Sequence, residues 1–248
     1  MFDEQATSVA SAMRDERCTR REEMLGRRWH LFNAGRHPVY MDATFLLLMA
    51  FFAFGNVNTR EQLVAGLMWV PVLFVGVLLH ELGHAAATKA FGYGASTIVL
   101  GGLGGVAISE GKVRARPMHA MLISLAGPAA SFALAGVSAG ALFALEGGLT
   151  HTSYLGQLLY LSAISNVFWG VFNMLPIYPM DGGQAVMYGL MAGLKQRRWA
   201  VQVTAVVSLV SLVLSLGLAF AALRAGMFTI LIGLYFGWLN WQLWQSTK

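Results

Sequence analysis

Residues 63–91 form a long, predominantly apolar run, and that run constrains the fold more than any other stretch of the chain. As a helix rising 1.5 Å per residue it would extend about 44 Å, more than the roughly 30 Å hydrocarbon core of a bilayer. Inside a membrane each backbone N–H and C=O must find a partner within the protein, so such a run is expected to be helical. Five more apolar segments accompany it, at 41–55, 118–145, 154–175, 200–223 and 227–244. Charged residues make up only 12% of the chain, against about a quarter in soluble domains. Mean hydropathy is correspondingly high, at +0.59. The expected fold is therefore an all-α polytopic membrane protein of about six transmembrane helices. Little chain remains for a sizeable soluble domain.

The charged residues add orientation. Residues 1–38 hold seven arginines, from Arg14 to Arg36, interleaved with six acidic residues. They are expected to form a solvated Arg-rich tail, or in part a surface helix with Trp29, Leu31 and Phe32 at the lipid interface. No apolar core of a signal peptide is seen there, so cleavage of the N-terminus is not expected. With six spans and a cytoplasmic N-terminus, 15 of the 17 Lys and Arg residues fall on the cytoplasmic side, leaving only Arg60 and Arg224 opposite. This bias follows the positive-inside rule and places both termini in the cytoplasm. Because the basic residues lie between spans, the net positive charge serves orientation and does not point to nucleic acid. The single cysteine, Cys18, excludes an internal disulfide.

The long apolar run contains His80-Glu81-Leu82-Gly83-His84, an H-E-x-x-H pattern. Histidines four apart on a helix share a face and can bind one Zn²⁺, with the intervening glutamate beside the open coordination position. A structural metal clip would use the same spacing. Ionisable residues inside a membrane span are costly, which favours function over accident. His84 lies five residues before Lys89, so the site is expected roughly 8–14 Å below the cytoplasmic surface.

Between the second and third spans, two β-prone runs, 96–100 and 105–109, flank Gly101-Gly102-Leu103-Gly104. They predict a hairpin-like loop dipping into the membrane, whose edge could receive an extended peptide as an added strand. An ordinary interfacial loop is the plainer reading. The third span carries Gly127-Pro128 among small residues, expected to pack closely on the histidine-bearing helix.

A catalytic zinc usually takes three protein ligands. Asp42, Glu110, His119 and Asp181 are the candidates for the third. Asp181 follows Asn173-Met174-Leu175-Pro176-Ile177-Tyr178-Pro179-Met180 and precedes Gly182-Gly183. The prolines should end the fourth span, and the glycines permit a sharp turn that aims the carboxylate back. An aspartate at this position could equally cap a helix beginning near Gln184.

Taken together, His80-Glu81-Leu82-Gly83-His84 and the later Asn173, Pro176, Pro179, Asp181-Gly182-Gly183 resemble the site-2 protease family of intramembrane zinc metalloproteases. The resemblance covers residues 63–183, the core of an expected transmembrane domain at 39–248. It implies Zn²⁺ held by His80, His84 and Asp181, Glu81 as the catalytic glutamate, and Asn173 as a polar residue near substrate or oxyanion. The implied function is hydrolysis of a peptide bond in or near the transmembrane helix of a membrane-protein substrate, within the lipid bilayer. The alternative is a transporter or ion-relay protein using the intramembrane His and Glu.

Overall fold

A computed structural model describes residues 28–247 apart from 56, 103, 110, 112–114, 151, 195 and 224–225. Among these described residues, four strands and seven helices follow in chain order. β1 (Trp29–Ala34) and β2 (His37–Met41) precede α1 (Ala43–Phe54) and α2 (Arg60–Ala90). β3 (Ser96–Gly101) and β4 (Gly104–Ser109) then lead to α3 (Pro117–Glu146), α4 (Tyr154–Asn173), α5 (Asp181–Leu194), α6 (Arg197–Leu223) and α7 (Met227–Gln245).

Among the described residues, four helices are long and apolar enough to cross a membrane: α2, α3, α4 and, over Arg197–Ala221, α6. Their number, length and composition are those of a multi-pass membrane protein. The first expected span is shorter than a crossing, because α1 has 12 residues and extends only about 18 Å. It does not stand alone. β2 runs directly into α1 through Asp42, whose carboxylate accepts the Thr44 and Phe45 amides at the helix start. α1 packs on α2. Gly66, near the start of α2, is pressed against the Ala53 carbonyl. Phe45, Met49, Val39, Ile98 and Leu100 pack with Leu73, Val77 and Ala85 in one buried cluster.

The expected hairpin at 96–109 is present, but it is half of a larger sheet. Strand order is β1-β2-β3-β4, with β2 and β3 parallel and the outer pairs antiparallel. The fold is mostly helical, as expected, with a sheet larger than the expected hairpin: residues 29–41, partly within the expected tail, pair as a second hairpin with Gly35 at φ +64° in its turn, while residues 1–27, including Cys18, lie outside the described residues. What pulls these residues out of the tail is long-range pairing, Val39 with Ile98 and Met41 with Leu100. At the base of the β3–β4 hairpin, Phe91 stacks on His119 at 4.4 Å, and the Tyr93 hydroxyl lies 2.9 Å from His119 Nδ1. The same hydroxyl accepts the Arg116 N–H, so both roots of the hairpin are tied together.

Candidate metal centre

Helix α2 starts at a capping box, in which Thr59 accepts the Gln62 amide and Gln62 reaches back to the Thr59 amide. From there it runs 31 residues, carrying His80, Glu81 and His84 to buried positions in its second half. The i, i+4 spacing brings the two imidazoles together, with Nε2 atoms 3.2 Å apart.

Each ring is oriented by α3. His84 Nδ1 lies 2.7 Å from the Ile123 carbonyl oxygen, which can only accept, so Nδ1 carries the proton and Nε2 of the neutral ring presents a lone pair. His80 Nδ1 lies 2.9 Å from Ser131 Oγ, a fully buried hydroxyl. Between them Gly127 faces both rings, and a Cβ there would overlap the Nε2 atoms of His80 and His84. Close approach is mutual, since a Cβ at Gly83 would run into the Ala126 carbonyl and Ala130. The small residues of α3 thus pack as expected and also carry the hydrogen bonds that aim the histidines.

Asp181 completes the group. α4 ends at Asn173, and the chain turns through Pro176 and Pro179 before α5 begins at Asp181 itself. Its Oδ2 is 3.0 Å from His80 Nε2 and its Oδ1 is 3.3 Å from His84 Nε2. Two imidazole nitrogens and a carboxylate therefore meet in a buried spot within 3.0–3.3 Å of one another. Bare lone pairs at such distances repel, and a cation between them offsets the repulsion. Tetrahedral zinc with bonds of about 2.0–2.1 Å would space its ligand atoms about 3.3–3.4 Å apart. The donor set and its spacing fit a metal ion of this kind.

Glu81 lies on the same helix but turns toward the sheet. It is 4% exposed and packed against β4, where a Cβ at Gly105 would overlap its side chain and the Ala107 amide faces its carboxyl group. His80, Glu81 and His84 each offer a ligand atom within 4.8 Å of the others. β4, which Glu81 packs against, is one of the two outer strands of the sheet, and its far edge has no strand partner among the described residues. Asn173 is half-buried at the end of α4, and its Nδ2 donates to the Trp169 carbonyl at 2.9 Å. Trp169 in turn packs against the β3–β4 turn at Gly104.

The other candidate ligands are placed elsewhere. Asp42 caps α1, with its Oδ1 bonded to Thr44, and His119 is engaged by Phe91 and Tyr93. Glu110 lies outside the described residues. Sequence reasoning overlooked Ser131 and the Ile123 carbonyl. A buried serine in an apolar span was the available signal for the first, and a backbone carbonyl leaves none.

Comparison with known proteins points in one direction. The model of peptidase family M50 matches residues 146–218, a stretch that contains Asp181 and lies after the histidine pair. A zinc metalloprotease of Methanocaldococcus jannaschii is 29% identical over 218 residues, 84% of this chain. The match spans 58% of that relative's length. The solved site-2 protease from Methanocaldococcus jannaschii superposes with a TM-score of 0.58 at 27% identity, covering 88% of this chain and 95% of that one.

Proposed function

We propose that this chain is an intramembrane zinc metalloprotease of the site-2 protease kind, cleaving a peptide bond within or near the transmembrane helix of another membrane protein, a reading supported by its likeness to peptidase family M50 and to the solved site-2 protease. The observation that carries the reading is the convergence of His80, His84 and Asp181 beside a buried glutamate and a free strand edge. Zinc bound by these three side chains would supply Lewis acidity, lowering the pKa of water and polarising the scissile carbonyl. Glu81 takes the proton from the attacking water and returns it to the leaving amine. Asn173 Nδ2 keeps a second N–H with which to donate to the developing oxyanion. The outer edge of β4 holds the substrate as an added strand, unwound because a helical backbone hides its carbonyls.

The same reading sets the protein in the cell membrane with six crossings. β2 and α1 end to end supply about 16 Å of strand and 18 Å of helix, together enough for the first crossing. The positive-inside bias of the sequence then puts both termini and the mouth of the site on the cytoplasmic face.

Substituting Glu81→Gln tests the mechanism. The variant should bind zinc like the wild type and fail to cleave a co-expressed single-span substrate. Undiminished cleavage would refute Glu81 as the base.

A further inference from the structure

The last two helices supply none of the candidate site residues, yet each buries a polar side chain completely. Ser208 on α6 and Asn240 on α7 are both 0% exposed. They converge on the backbone of one residue. Ser208 Oγ accepts the Tyr178 N–H at 3.0 Å, and Asn240 Nδ2 donates to the Tyr178 carbonyl at 2.7 Å.

Tyr178 stands three residues before Asp181 in the irregular segment between α4 and α5. Tyr178 is half-buried and non-helical among apolar helices, and backbone shielded from water there needs outside partners for its N–H and its C=O. Both come here from α6 and α7. Neighbouring groups are satisfied locally, Ile177 O by the Met180 amide and Pro179 O by Gln184 Nε2. The first turn of α5 is clamped onto the same segment, because a Cβ at Gly183 would overlap Ile177 and Tyr178 N, and one at Gly182 would overlap the Met174 and Leu175 carbonyls. Little slack remains between Tyr178 and the Asp181 carboxylate.

Among the described residues, Asn240 Oδ1 is buried with no partner. Burying an unpaired acceptor is unfavourable, and a leucine of similar size would avoid it. Within α7 the amide donates to the Phe236 carbonyl one turn back, at 2.9 Å, and its shorter bond, at 2.7 Å, reaches out of the helix to the Tyr178 carbonyl.

We propose that Ser208 and Asn240 are positioning residues: by fixing both polar groups of Tyr178 they aim Asp181 at His80 and His84. The inference rests on the zinc reading above and assigns α6 and α7 a part in building the centre.

The experiment measures zinc affinity of the full chain in detergent by chelator competition, together with the visible spectrum of the Co²⁺-substituted protein. Ser208→Ala and Asn240→Leu should each weaken zinc binding roughly 10–100-fold and alter the cobalt bands, the range seen when groups behind a ligand are removed. Ser208→Thr, which keeps the hydroxyl, should restore both. Thr204→Val is the control, because Thr204 is equally buried one turn away and bonds to the Ala200 carbonyl of its own helix. It should leave affinity and spectrum unchanged.

Wild-type behaviour in both Ser208→Ala and Asn240→Leu overturns the inference and leaves the zinc reading standing. An equal loss in Thr204→Val overturns it by showing a general packing effect. A wild-type protein that binds no zinc overturns the zinc reading and this inference with it. Should Asn240→Leu fail to fold, the Ser208→Ala and Ser208→Thr pair decides.

Discussion

The two sides of the metal centre reach the same point by opposite means. His80 and His84 belong to one unbroken helix, where a four-residue interval fixes their relation before any tertiary contact forms. Asp181 arrives after a helix end and two prolines, on a segment whose backbone is held by α5, α6 and α7. One side is local geometry trimmed by α3, and the other is assembled from half the fold. The helical side should tolerate disturbance elsewhere, while the aspartate side should register changes made far from it.

Three substitutions probe this contrast. Asp181→Ala removes the carboxylate that lies within 3.0–3.3 Å of both histidines and should have the largest effect, beyond the roughly 10–100-fold loss expected when a supporting partner is removed. Zinc titration under chelator competition reads it, and near wild-type affinity would break the assignment of Asp181 to the centre. Gly127→Ala comes next, since its Cβ would press on both Nε2 atoms and separate the rings. Its affinity should fall toward that of Asp181→Ala, and unchanged binding would show that α3 yields easily. Ser131→Ala should be smallest, within about 10–100-fold, because the peptide bonds of α2 continue to hold His80 while only its ring loses a partner. A loss exceeding that of Gly127→Ala would reverse the ranking and make the serine more than a support.

Much of the architecture was legible as hydropathy. The apolar runs at 63–91, 118–145, 154–175 and 200–223 became α2, α3, α4 and α6 with ends shifted by a few residues. The β1–β2 hairpin was not, because β1 leaves Trp29 and Phe32 exposed and β2 draws its core pairing from residues 59 positions away. Neither fact is written in a local pattern. For the same reason a 12-residue α1 reads as a stunted span until β2 is seen leading into it.

At the site, helical periodicity made the histidine pair visible, and Pro and Gly marked the approach to Asp181. The hydrogen bonds behind them depend on which helix packs where, so Ser131, Ser208 and Asn240 show in the sequence only as isolated polar residues in apolar helices. Asking what each such residue bonds to, in place of treating it as a neutral packing element, is the physical question that recovers them.

The parallel pairing of β2 with β3 also has a consequence for the order of assembly. β1 and β2 are adjacent in sequence and can pair as soon as both have been synthesised. β2 and β3 are separated by all of α1 and α2, and closing that long loop carries an entropic cost that a local turn does not. The sheet can therefore be completed only after the histidine-bearing helix has been made, and β4, which covers Glu81, joins after β3. During biosynthesis the glutamate can be covered once residues 104–109 have been made, while the helices from Pro117 onward, and Asp181 with them, are still to come.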